Sequence, residues 1–169
     1  LPVEISGMLV MGRLGQYSPV SIDCVDFAHD LAVLRFVKNP NMSDERFESF
    51  LKEEFDTGLS IAAQYQPAST KVSYAGYPYG TQLLNQKHDP TYASGVIGVE
   101  MCEDQFRKEI RVSGPVVGGF SGSPIVSENE QGKVIGIVSN GPSKDGKESS
   151  IFMGISWEHI KAIALLARS

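Results

Sequence analysis

The segment GGFSGSPIV, residues 118–126, sets a serine inside a glycine-rich turn that runs straight into an apolar strand. Gly118, Gly119 and Gly122 flank Ser121, with only Phe120 interposed. A turn of this composition accepts positive φ values and can aim successive backbone N–H groups at one point. Acyl transfer needs that geometry, with two donors directed at the oxyanion of a tetrahedral intermediate and a nucleophile beside them. The G-x-S-x-G elbow is not met, because position 123 is serine, and Pro124 excludes an S-x-x-K pattern. On residue chemistry alone the segment suits a nucleophile or a plain turn. A serine nucleophile also needs a proton acceptor, held by an acid. The histidines are His29, His88 and His159. His29 adjoins Asp30, and neighbours in an extended chain point to opposite faces, so one imidazole does not readily bridge from that carboxylate to Ser121. His88 lies in the polar loop QKHDPTY and His159 in the first turn of a closing helix; both read as surface residues. The general base is assigned to none of the three.

These residues must be positioned by a strand-rich scaffold. SGMLVMGRL, SPVSIDCVDF and LAVLRFV read as strands in the first third. LSIAAQY, KVSYAGY, ASGVIGVEM, EIRVSG, GSPIVS, GKVIGIVS and SIFMGI follow later, at the spacing of an all-β barrel or sandwich. Between the two sets, NMSDERFESFLKEEFDTG places Phe47, Phe50, Leu51 and Phe55 at helical spacing, with Ser43 as N-cap and Gly58 as stop. The expectation is an amphipathic helix with those side chains packed on the body. ENEQG is a hairpin turn. SWEHIKAIALLARS closes the chain as a helix capped by Ser156, with Glu158 in its first turn and Ile160, Ile163 and Leu166 on one face.

Composition restricts the function classes. The chain has 169 residues, 41% of them hydrophobic and 21% charged, with a net charge of −5 spread along it. That suits a soluble globular protein. Without a basic cluster, nucleic acid is not expected as a partner. No apolar run approaches the ~18 residues of a membrane span, and the start lacks the flanks of a signal peptide. Cys24 and Cys102 form neither a disulfide framework nor a metal spacing. They read as two buried thiols, and a cytoplasmic setting and no metal follow as expectations.

A family resemblance sharpens the reading. The segment around Ser121 resembles the G-[DN]-S-G-[GS]-P nucleophile segment of chymotrypsin/trypsin-like serine peptidases. AHDLAVLRF, residues 28–36, resembles the stretch that carries their triad aspartate. AGYPYG (75–80), YASGVIGV (92–99), GKVIGIVSNG (132–141) and the last strand and helix resemble those of bacterial HtrA-like members. The resemblance implies an all-β, chymotrypsin-like double β-barrel with an inserted helix and a C-terminal helix. Residues 1–56 would be the remainder of the N-terminal barrel plus the inserted helix, and 57–169 the C-terminal barrel with its closing helix, one peptidase domain overall.

It further implies Ser121 as nucleophile, Asp30 as the acid that orients the imidazole, and the N–H groups of Gly119 and Ser121 as oxyanion hole. Ser139, Asn140 and Gly141 would bind substrate backbone as a strand edge. Pro115 and Val116 would lie near the floor of the first pocket, where no acid appears, so an apolar or small substrate side chain is expected. Phe120 departs from the family's small or polar residue; it closes that pocket or packs. In the family the histidine stands in an A-x-H setting some tens of residues before the aspartate. The expectation is therefore that the first barrel is incomplete here and that the histidine lies upstream of Leu1, with no PDZ-like module trailing the helix. Two functions follow. The first is a serine endopeptidase acting through an acyl-enzyme on a protein or peptide substrate, without cofactor. The alternative is a non-catalytic, protease-like module that binds extended peptides.

Overall fold

The computed structural model describes residues 8–55, 58–78, 90–103, 107–140 and 149–168. Strands β1 (Leu9–Met11), β2 (Tyr17–Asp26) and β3 (Leu31–Phe36) form an antiparallel sheet in the order β1-β2-β3. Helix α1 (Asp44–Phe55) follows. Strands β4 (Lys71–Gly76), β5 (Thr91–Glu103), β6 (Lys108–Val116), β7 (Pro124–Ser127), β8 (Val134–Asn140) and β9 (Ser149–Ser156) close into an antiparallel barrel in the order β4-β5-β6-β9-β8-β7. Helix α2 (Trp157–Arg168) ends the described chain. The architecture is the expected one: strands dominate, with one helix between sheet and barrel and one after them.

Period-two alternation builds the barrel. Val72 and Tyr74 of β4, Ile110 and Val112 of β6, and Phe152 of β9 point inward and are almost wholly buried, together with Ile97, Ile125 and Ile135. Tyr74 meets Phe152 edge-on at 4.8 Å and donates its hydroxyl proton to the Pro115 carbonyl at 2.6 Å. Burial pushes that phenol up to about 12, so it stays a donor. The hairpin between β7 and β8 turns on Gln131 and Gly132, both at positive φ, as the ENEQG composition requires.

Helix α2 joins sheet to barrel. Ile163 is buried with Leu31 of β3 and Ile155 of β9, and Cys24, Val33, Ile137 and Ile160 pack around them. Cys24 is a half-buried free thiol, whereas the side chain of Cys102 lies outside the described residues. Ser156 caps the helix by accepting from the Glu158 N–H at 3.4 Å. Leu166 does not share the buried face: it is 65% exposed. Steps of three residues fall behind a 3.6-residue helix by about 60° each, so two steps from Ile160 carry Leu166 off the contact.

Two further expectations are corrected. LSIAAQY is not a strand; Ile61 alone makes a parallel bridge to Val134, with Val134 N–H donating to Ser60 O and Ala62 N–H to Val134 O, both at 2.8 Å. Strand β9 reaches β8 no further than the Gly136–Ser156 pair, which leaves a single slot at Val134. In α1, Ser43 caps as expected, accepting from the Arg46 N–H at 3.3 Å, but Phe47, Phe50, Leu51 and Phe55 are only half-buried. The buried residue is Glu54, at 2% exposure. Its carboxylate accepts from the Leu14 N–H at 3.0 Å and its carbonyl from the Arg13 N–H at 2.8 Å. The β1–β2 turn thus draws two acceptors from the end of α1, and Phe55 also packs on Phe36 of β3, ring centroids 4.5 Å apart. Glu54→Ala is expected to cost about 1.5–3 kcal/mol, the worth of a hydrogen bond to a charged group; the urea midpoint measures it.

Candidate active site

Two turns and the head of β6 converge on the barrel's strand β8. Asp30 ends the β2–β3 turn with φ at 55°, a left-handed conformation that aspartate tolerates better than most residues. Its carboxylate accepts from the Ser139 hydroxyl, Oγ to Oδ2, at 3.0 Å. Ser139 is free to reach it because β8 is irregular there: Val138 pairs with Gly154 and Asn140 with Met153, leaving Ser139 as the extra residue of a bulge. Bulges re-aim side chains in this way. Arg107, at the head of β6, donates to the same Ser139 oxygen at 2.7 Å and pairs with Glu109 at 2.7 Å. Because the guanidinium only donates, Ser139's own proton is committed to Asp30.

The serine turn lies one residue away along β8. Gly122 N–H donates to Val138 O at 2.7 Å, and Val138 N–H donates to Ser123 O at 2.9 Å. The turn's other bonds divide its donors into two classes. Phe120 N–H goes to Val117 O at 3.3 Å and Ser123 N–H to Phe120 O at 2.9 Å. Among the described residues, the Gly119 and Ser121 N–H groups have no acceptor. Gly119 sits at φ 103°, and its carbonyl is taken by Tyr77 N–H at 3.1 Å. Ser121 is exposed. Phe120 packs: it is 4% exposed, edge-on to Tyr74 at 5.6 Å.

The remaining predicted residues fall as follows. Val116 is buried in the same core cluster as Phe120, while Pro115 is exposed. Asn140 lies on β8 with its backbone paired to Met153, and its side chain, like Gly141 and His88, lies outside the described residues. His29 does not turn along Asp30. Its Nδ1 meets Asp26 Oδ2 at 2.6 Å, and that hydrogen bond, ahead of the accompanying charge, holds the Asp26 carboxyl below its usual range. His159 is not a surface residue: it is half-buried, stacks on His29 with ring centroids 3.8 Å apart, and accepts from the Lys108 N–H through Nε2 at 2.9 Å. The sequence pointed to neither Arg107 nor His159. Arg107 stands in a charged run, EDQFRKE, that reads as solvated loop, and its partner is 32 residues away. No cluster that could hold a metal ion occurs among the described residues.

A family model described as a trypsin-like peptidase domain matches residues 6–137. Among solved structures, the HtrA-type protease AlgW with a decapeptide superposes with a TM-score of 0.67 at 20% identity, over 97% of this chain and 45% of that one. The same protease with a tripeptide gives 0.68 at 19% identity, over 93% and 46%. The chain thus spans just under half the length of those structures. No curated protein sequence matches it.

Proposed function

Because the chain belongs to the trypsin-like peptidase family, we propose that it is the core of a serine endopeptidase that cleaves peptide bonds through an acyl-enzyme on Ser121. The observation that carries this reading is the division of donors around Ser121. The N–H groups of 120, 122 and 123 are spent on the scaffold, while those of Gly119 and Ser121 have no acceptor among the described residues. Two preorganised free donors beside a hydroxyl suit an oxyanion forming on the attacked carbonyl. Asp30, held by Ser139, would orient an imidazole and stabilise its charged form during proton transfer. The backbone at Ser139, Asn140 and Gly141 would pair with an extended substrate. Pro115 and Val116 would bound a first pocket without acid, favouring an apolar or small side chain. The peptides named with the AlgW structures support a peptide as ligand.

A second reading rests on the histidines. His29 is bonded to Asp26 and His159 to Lys108, so neither is assigned as general base. A module with the peptide-binding edge but no base would bind without cleaving. A fluorophosphonate probe separates the two, applied to this chain and to the full-length protein that contains it. Labelling, with the modified peptide carrying residue 121, is the expected result for the full-length protein. A folded full-length protein that does not label would overturn the peptidase reading and leave the peptide-binding module.

A further inference from the structure

The contacts behind Asp30 form a closed ring. Ser139 Oγ donates to Asp30 Oδ2 at 3.0 Å, and Arg107 donates to Ser139 Oγ at 2.7 Å. Lys108, the next residue, donates its N–H to His159 Nε2 at 2.9 Å. His159 stacks on His29 at 3.8 Å with the planes 23° apart, and His29 precedes Asp30 in the chain. Sheet, barrel and helix α2 each contribute a link. From this geometry we infer that His159 is a positioning residue for Asp30, and that its neutral imidazole latches the ring in the arrangement the active site needs. The inference rests on the peptidase reading for its consequence, though not for its structure.

The chemistry of the latch is directional. Nε2 accepts the Lys108 N–H only while it carries no proton. Protonating His159 turns that acceptor into a donor facing a donor, and it sets a cation against the His29 ring stacked on it. His29 and Asp26 face His159 from the β2–β3 side, Lys108 from β6 and Glu158 from its own helix. Strands β8 and β9, which also contact α2, contain no charged residue. Asp23 of β2 and Arg35 of β3 are paired with each other at 2.9 Å. Lys108 Nζ is held by Glu158 at 2.8 Å, so β6 stays tethered to α2 when the backbone bond opens. Acid would therefore loosen the ring without releasing the helix.

Burial first, and the charge on His29 second, hold the His159 imidazole below its usual range. Since the unfolded or unlatched state binds the proton more readily, the stabilisation is fully present above the ordinary imidazole value of about 6.5. It is lost as pH falls below that value through the lower latched one.

The test is a pH titration of this chain by NMR with ¹⁵N-labelled histidine and assigned amides. The expected result is that the His159 ring, the Lys108 amide and the amides of Asp30 and Ser139 move with one shared midpoint. In His159→Gln the amide oxygen accepts the Lys108 N–H at every pH, so that shared step is expected to vanish while the circular dichroism spectrum is kept. Should Asp30 and Ser139 stay still while His159 titrates in the wild type, the latch is wrong, whatever the variant does. Fluorophosphonate labelling of the full-length protein over the same pH range keeps the two readings apart. Shared amide movement with no labelling at any pH overturns the peptidase reading and supports the latch. Labelling whose rate shows no His159-dependent step, compared with His159→Gln, overturns the latch and supports the peptidase.

Discussion

Ser121→Ala is expected to lower kcat of the full-length protein on a peptide substrate by about 10⁶-fold, the loss that follows removal of a serine nucleophile from a triad. The same substitution is expected to leave stability almost unchanged. Ser121 is exposed, and the bonds that hold its turn run through the backbone of Phe120, Gly122 and Ser123. Alanine keeps the residue-121 N–H, so affinity for a peptide is expected to persist as turnover disappears. Thermal melting, peptide titration and steady-state kinetics on one preparation check all three. A variant that retains turnover would show that another group attacks, and the assignment of Ser121 would fall.

Gly119→Ala is expected to damage both chemistry and fold. Glycine is required there twice over: φ is 103°, and a Cβ would lie 2.2 Å from the Tyr77 carbonyl oxygen and 2.8 Å from Pro78 Cα. The obstacle is the backbone of the Tyr77–Pro78 peptide, so a side-chain rotation cannot relieve it. The left-handed conformation adds about 1–3 kcal/mol of strain for a residue with a Cβ. The turn must then shift, and the Gly119 N–H shifts with it. Losing one oxyanion donor costs about 10²–10³-fold in kcat. Gly118→Ala serves as control. Its Cβ would meet nothing within 4 Å, and a surface change of that kind stays within about 0.5 kcal/mol. Equal effects at the two positions, measured by kinetics and urea unfolding, would refute this account of the turn.

Much of the scaffold was legible because its signals are local. Alternation in KVSYAGY and EIRVSG reports the inward faces of β4 and β6. Ser43 and Ser156 announce the helix starts, and the glycines around Ser121 announce a turn that positive φ then realises at 119 and 122. Each of these depends on residues within a few positions of one another, so the sequence by itself determined them. The resemblance to the peptidases, carried by the same short segments, is matched by the family model over residues 6–137.

Where long-range competition decides, the sequence was silent. LSIAAQY has the composition of a strand, yet β8 offered it one slot beside Val134. Glu54 reads as a solvated acid on a charged helix, but it is buried with its carboxylate on the Leu14 N–H of the β1–β2 turn, 40 residues away. Leu166 fits an apolar stripe that the sheet and barrel are not placed to cover. The candidate site follows the same division. Ser121 and Asp30 stand in recognisable segments. The Ser139 hydroxyl that holds Asp30 comes from 109 residues away, and the Arg107 that commits its proton and the His159 that meets Lys108 are likewise brought in from distant elements. Local pattern specifies which way a side chain points on its own element. Only the closing of the barrel, and the seating of α2 across barrel and sheet, decides which two of those side chains meet.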